Sequence, residues 1–364
     1  MLTRRRFLLD GLTLTALTPA LARLPRPGRR SEGERILVVV QLSGGNDGLN
    51  TVVPHRQDGY ARARPSLALT KGVLHRLDDE HGLHASLGEL GRLFEQGQLA
   101  LVHGVGVERP DRSHFRSLEI WHSGEPDRPA RGLGWLGRLA DQIDARASGS
   151  LPALHIGAGD VPLALMGARV LAPSLRDEHS LALEKLAGID GARAELTRER
   201  PRANSELAFL RAAARTAYRA SAELEAVVAR PTGANYPEHE LARKLRLVAR
   251  LIAGGFDTRL FHLSLDGFDT HARQAPLHAA LLSELDASLA AFQRDLEASG
   301  NAGRVVTFVH SEFGRRVEEN ASRGTDHGAA APVFLLGGAF ARGLHGKPPD
   351  LDALVDGDVP ATTD

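Results

Sequence analysis

The chain has 364 residues, 42% of them hydrophobic, which is enough to bury a large core. Its 45 Lys plus Arg balance 45 Asp plus Glu, so there is no global basic field of the kind that recruits nucleic acid. It has no cysteine, which excludes thiol nucleophiles, disulfide frameworks, iron–sulfur clusters and thiolate zinc sites. Any metal must therefore be held by oxygen and imidazole groups, and the composition suits an oxidising compartment.

Thr3-Arg4-Arg5-Arg6-Phe7-Leu8 reads as a twin-arginine signal. A weakly apolar run from Phe7 to Leu17 follows, then Pro19-Ala20-Leu21-Ala22, an A-x-A cleavage pattern. The run is too short to span a bilayer, and Asp10 interrupts it. Residues 1–22 are thus expected to be a signal peptide cleaved after Ala22. The expected partner is the twin-arginine export machinery, and the expected location is the periplasm or outside the cell, with no stable membrane span. Residues 23–34, rich in Pro, Gly and Arg, read as a flexible linker.

From Arg35 onward strand and helix signals alternate. Arg35–Gln41 is a β-branched run without helical period, as in a buried parallel strand. Residues 84–97 carry Leu87, Leu90, Leu93 and Phe94 on one helical face, and Leu99–Gly106 reads as the next strand, closing a β-α-β unit. Residues 115–122 and 133–146 read as helical or mixed, and Leu154–Gly157 as a short strand. Residues 175–229 have helical spacing, and a second run covers Glu238–Ile252, so a helical insertion is expected at about 175–255. Leu260–Leu265 alternates like a strand, His278–Glu297 is an amphipathic helix, and Arg304–Val309 and Pro332–Leu336 read as strands. The alternation predicts one α/β domain over 35–364, a doubly wound, mostly parallel sheet flanked by helices.

In such a sheet, sites are built at the carboxyl ends of the strands. Five groups of residues are candidates for such a site. Asp47, in Gly44-Gly45-Asn46-Asp47-Gly48, reads either as part of an ordinary turn or as a carboxylate ligand. In Asp111-Arg112-Ser113-His114, Ser113 is a candidate nucleophile with His114 as base or orienting group, or Ser113 caps a helix. Asp266, Asp269 and His271 lie within six residues after a strand, a donor set suited to zinc, manganese or iron. Glu312 and Arg315 follow the 304–310 strand, where they read equally as a helix-start carboxylate and a surface arginine. Asp326-His327 precedes the last strand, either as a structural pair or as part of the site.

Gly45-Asn46-Asp47-Gly48-Leu49-Asn50, Arg112-Ser113-His114-Phe115, Asp266-Gly-Phe-Asp269-Thr-His271, Ser311-Glu-Phe-Gly-Arg315 and Gly324-Thr-Asp-His327-Gly, in this order, resemble the exported bacterial family known as domain of unknown function 1501. That family in turn resembles the alkaline phosphatase superfamily of phosphatases, sulfatases and cofactor-independent phosphoglycerate mutases. The resemblance implies an alkaline-phosphatase-like fold and a divalent metal, whether zinc, manganese, magnesium or calcium. It implies metal ligation by Asp47, Asp266, Asp269, His271, Glu312 and His327, with Ser113, His114 and Arg315 catalytic. The distance from His271 to Asp286 also resembles the mutase pattern. The chain departs from the superfamily in three respects. Five residues, rather than four, separate Asp266 from His271. Glu312-Phe313 replaces an Asp-His pair. Ser113-His-Phe-Arg116 lacks the Pro of the formylglycine sulfatase motif.

The function so implied is metal-dependent hydrolysis of phosphate or sulfate esters, with a small or polymeric anionic ester as substrate. A divalent ion and Arg315 or Arg112 would stabilise the charged oxygens. The alternative is a non-catalytic periplasmic binding or assembly protein that keeps the fold with a degraded site.

Overall fold

The structure is a computed structural model that describes residues 35–127, 132–144, 151–170, 172–176, 227, 232–338, 340 and 342–363. The segments expected to be a signal peptide and a linker, and most of the expected helical insertion, lie outside the described residues. Contacts divide the chain into two compact units, the larger holding the described parts of 33–131, 233–246 and 262–364.

In the larger unit, β1 (Ile36–Leu42) is buried on both faces, as its β-branched run predicts. It pairs in parallel with β9 (Val305–Ser311), with Leu42 opposite Ser311, so both strands end side by side. β8 (Leu260–Leu265), of which 262–265 belong to this unit, neighbours β1 on its other side. β5 (Leu99–Val105), β12 (Ala331–Gly337) and β13 (Gly343–His345) complete the order β13-β5-β12-β9-β1-β8. β12 runs antiparallel to both neighbours, β5 and β9, whereas β13 is parallel to β5. The mostly parallel α/β class is therefore as expected, with β12 reversed.

The helices expected from periodicity are present as Gly88–Glu95, His114–Ser123 and Gln274–Ala298. Asp286, on the last of these, accepts the Glu89 and Leu90 backbone N–H groups at 3.0 and 2.7 Å. It caps the 88–95 helix and has no part in the site, contrary to the mutase-like reading.

Two small sheets were not foreseen. β2 (Val52–Val53), β3 (His75–Arg76) and β4 (Gly82–Leu83) form one, in the order β2-β4-β3. β10 (Arg315–Glu319) and β11 (Thr325–His327) form an antiparallel hairpin in which Arg315 faces His327. Arg315 thus opens a strand, not a helix. Val317 of β10 is buried with Leu49, Val53 and Tyr60, which seats the hairpin on its own small core.

The smaller unit contains the helix Trp135–Asp144 and the parallel pair β6 (Ala153–Ile156) and β7 (Ser174–Leu175). The Asp141 carboxylate accepts the backbone N–H groups of Ala168, Arg169 and Val170 at 2.7–2.9 Å and fixes the turn that follows β6. The helix Glu240–Ala253 runs through the boundary between the two stretches of sequence. No helix among the described residues is long and apolar enough to cross a membrane.

Candidate metal centre

Three segments of the larger unit meet at the carboxyl ends of β1, β8 and β9, and hydrogen bonds lock them there. Ser311 Oγ donates to the Leu42 carbonyl at 2.6 Å and accepts the Asn46 N–H at 2.9 Å. Glu312 Oε1 accepts the Gly44 N–H at 2.8 Å. Gly44 has φ +117°, and a Cβ there would collide with the Asp269 backbone nitrogen, so only glycine lets the β1 and β8 loops touch.

Asp269 is the centre of the cluster. Its Oδ1 lies 3.0 Å from His271 Nε2, 3.0 Å from His327 Nε2 and 2.8 Å from Arg315 Nη2. Its Oδ2 lies 3.6 Å from His114 Nε2. Burial works against its charge, but hydrogen bonds from His327 and Arg315 and the nearby positive charge outweigh this and hold it at about 2. One donor atom each from His114, Asp269 and His327 lie within 4.8 Å of one another. His271 joins them through His327, since the two Nε2 atoms are 3.0 Å apart.

The other ring nitrogens explain why the Nε2 atoms point inward. His114 Nδ1 is 2.9 Å from Glu312 Oε1, His271 Nδ1 is 3.0 Å from Asp326 Oδ1, and His327 Nδ1 is 2.8 Å from the Arg112 carbonyl. Carboxylate and carbonyl oxygens only accept, so each Nδ1 donates outward and each ring is turned with Nε2 toward Asp269. The His271 and His327 Nε2 atoms lie 3.0 Å from each other and from Asp269 Oδ1, an approach that needs protons or a metal ion between them. Imidazoles backed by carboxylate or carbonyl acceptors, together with one low-pKa carboxylate, fit a divalent ion of the zinc, manganese or iron type.

The predicted residues fall into three groups. Asp269, His271 and His327 meet, and His114 meets them as a donor rather than as a neighbour of Ser113 alone. Glu312 is buried and reaches the cluster only through His114. Arg315, with a side chain that is 0% exposed, donates to the Gly44, Gly45, Thr325 and Phe268 carbonyls as well as to Asp269. It ties three segments together from below and does not face solvent. Ser113 is exposed at the N-cap position of the 114–123 helix, and its hydroxyl makes no capping bond. Asp266 is exposed and is not among the groups that converge.

Asp47 does follow β1, but its carboxylate is engaged elsewhere. Arg64 Nη1 donates to Oδ2 at 2.6 Å with both side chains 0% exposed, and Gln274 Nε2 donates to the same oxygen. Burial opposes the charge of Asp47, yet Arg64 holds its pKa below the usual carboxylate range. Gln274 Oε1 in turn accepts from Thr270 and Thr325 Oγ1 at 3.2 and 2.6 Å, the residues that precede His271 and Asp326. Asp47 therefore supports the cluster from beneath.

Sequence reasoning missed Arg64, Gln274 and Asp358. The last holds the Arg112 guanidinium, whose backbone carbonyl orients His327. The Arg-Ser-His motif did mark that segment, but nothing in the sequence pairs it with position 358.

This mostly parallel α/β framework, with imidazole and carboxylate groups gathered at the carboxyl ends of its central strands, is of the doubly wound class. The chain belongs to the family described as protein of unknown function (DUF1501), whose match spans residues 34–359. Among solved structures it is similar to a protein in the alkaline phosphatase superfamily from Vibrio parahaemolyticus, with 12% identity over 92% of this chain and 71% of that one, TM-score 0.39. It is also similar to the PsFucS1 sulfatase from Pseudoalteromonas sp., with 11% identity, 94% and 69% coverage and TM-score 0.41. A third likeness is to the lipoteichoic acid synthase LtaP from Listeria monocytogenes, with 9% identity, 95% and 79% coverage and TM-score 0.41. No curated protein matches the sequence.

Proposed function

We propose that the protein is an exported, metal-dependent hydrolase of phosphate or sulfate esters, working at the Asp269 centre. The observation that carries this reading is the 3.0 Å approach of the His271 and His327 Nε2 atoms, each ring held by an acceptor on its far nitrogen. His114, Asp269, His271 and His327 would hold the ion. When bound, it would supply positive charge that favours a deprotonated nucleophile and stabilises the ester oxygens.

The chain's own residues do the rest. Ser113 adjoins both His114 and the Arg112 carbonyl that orients His327, and its exposed hydroxyl is free of any capping bond, as a nucleophile needs. Glu312 and Asp326 hold His114 and His271 by Nδ1 so that Nε2 faces the centre. Arg315 keeps Asp269 ionised and in place. The twin-arginine start of the sequence supports export.

A second reading is a binding or assembly protein, favoured by one observation: Asp47 is neutralised by Arg64, so its carboxylate is withdrawn from any second ion. Metal analysis and turnover separate the two. The purified protein should hold a zinc- or manganese-type ion at this centre, and Asp269→Ala,His271→Ala should hold one ion fewer per chain. Ser113→Ala should abolish hydrolysis of an aryl phosphate or sulfate while metal content stays unchanged and stability shifts by less than about 0.5 kcal/mol. Metal without turnover in the wild type would select the binding protein. A wild type free of metal would remove the centre altogether.

A further inference from the structure

The described residues leave the Asp269 centre open, with the Asp269 and His271 side chains 49% and 44% exposed. A small ligand normally has most of its surface buried in a cleft, so donor groups this exposed suit a substrate that extends well past them. Two flanks are open to it. His271 stands 3.0 Å from Asp269 Oδ1, whereas His114 approaches Oδ2 at 3.6 Å. The loop that carries His271 leads to Arg273 on one flank, and the helix that starts at His114 presents Phe115, 90% exposed, on the other.

The His271 flank is basic. Arg64, Arg112, Arg315 and Arg316 are all paired with carboxylates. Arg273 and Arg323 are exposed, and neither makes an ion pair with any described residue. Their backbones run side by side: Arg273 N–H donates to the Ser322 carbonyl and Gln274 N–H to the Arg323 carbonyl, both at 2.9 Å. Arg323 precedes Gly324, which packs on the His271 backbone, so both residues border the centre. Both also sit in the left-handed region, with φ +45° and +55°. Glycine adopts that region freely and a long side chain does not, so the turn itself gains nothing from arginine. Strain of this kind collects at functional positions. What arginine adds is a planar fork of donors matched to phosphate and sulfate oxygens.

The ion would hold the ester being cleaved, and the two arginines lie beyond His271. We propose that Arg273 and Arg323 grip the next anionic group along the same molecule, and hence that the substrate is a polymer carrying repeated phosphate or sulfate groups. The chain runs over Asp269 toward Phe115, whose ring meets the apolar stretch between charged groups. The proposal rests on the hydrolase reading of the centre and names its substrate class.

The test compares labelled dextran sulfate and dextran phosphate with glucose 6-sulfate and glucose 6-phosphate, using the full chain loaded with metal. The polymers should bind about 10-fold tighter or more per ester group than the sugars, and the tighter of the two polymers identifies the ester. Arg273→Gly,Arg323→Gly should weaken polymer binding by about 10–100-fold and raise the KM for polymer to match. Metal content should hold, and the melting temperature should be no lower than that of the wild type, since glycine suits both backbone positions. Arg273→Lys,Arg323→Lys should recover part of the loss. The proposal is overturned if wild type and glycine variant bind polymer equally, or if the sugars bind as tightly as the polymers. Arginine-dependent binding with no turnover of any ester would remove the hydrolase reading and leave the polyanion surface standing. Should the glycine variant melt lower than the wild type, equal polymer binding by Arg273→Gln,Arg323→Gln and wild type overturns the proposal instead.

Discussion

A carboxylate just beyond the first strand is a natural metal ligand, yet the group that neutralises Asp47 is a guanidinium from the same chain. Arg64 gives Nη1 to Asp47 and Asn50, Nε to the Val317 carbonyl and Nη2 to the Arg316 carbonyl, and it is completely buried. A buried pair of this kind adds little net stability over an apolar pair, but removing one partner leaves a charge that water cannot reach. Arg64→Met should therefore cost about 3–5 kcal/mol, read from urea unfolding. Asp47→Asn added to it should recover a good part of the loss. A single-variant cost under about 1 kcal/mol would mean that Asp47 finds another cation, and would return it to the list of metal ligands.

At the scale of elements, the centre depends on where the β10–β11 hairpin docks. Its turn is strapped to the loop after β8: Arg273 N–H donates to the Ser322 carbonyl, Gln274 N–H to the Arg323 carbonyl, and Asn320 Nδ2 to the His271 carbonyl, at 2.9–3.0 Å. Gly324 packs so closely on the His271 backbone that a Cβ would collide with its carbonyl carbon. Gly324→Ala should push the hairpin off this loop and part His327 from His271. A displacement of that order typically costs about 10²-fold in turnover. The change should lower metal affinity as well, while the circular dichroism spectrum holds. Wild-type affinity in this variant would show that the hairpin and the loop move as one body.

The same elements mark what the sequence could reveal. Strands β1, β5, β8 and β9 were legible because each is a short apolar run buried on both faces, a pattern that depends only on local residues. The direction of β12 was not legible, since an apolar run is the same read for a parallel or an antiparallel neighbour. Nor was β10: Arg315-Arg-Val-Glu-Glu319 is mostly polar, and it is a strand only because β11 pairs with it and Val317 finds a core. The motifs pointed to Asp269, His271 and His327, but not to His114 as a donor, because its convergence with them spans more than 150 residues of chain. Arg64 was beyond reach for a different reason, since an arginine is rarely fully buried and composition assigns it to the surface.

For the molecule as a whole, the buried histidines set how stability depends on pH. Burial pushes His278 down to about 4 and His310 to about 3 from the ordinary 6.5. His278 is held neutral against Asn46 Oδ1 at 2.9 Å, and His310 is stacked on Trp121 and Phe308 with centroids 4.5 and 5.2 Å away. Between pH 6.5 and about 4 the unfolded chain takes up protons that these rings refuse when folded. Stability from this source is full above pH 6.5 and falls as the pH drops through that window, by up to about 1.4 kcal/mol per unit for each ring. The lowered pKa of Asp47 has the opposite origin, a carboxylate favoured when charged, and its contribution is lost only below its unfolded value of 3.8. The window above pH 4.5 therefore isolates the histidines. His310→Phe keeps an aromatic ring between Trp121 and Phe308 and removes one titrating group. Urea unfolding at pH 7 and pH 5 should show the wild type losing stability on acidification, and His310→Phe losing less, by roughly one proton's worth of slope. An identical loss in both proteins would mean that His310 takes its proton in the folded state, and so that the Trp121–His310–Phe308 stack admits a charge.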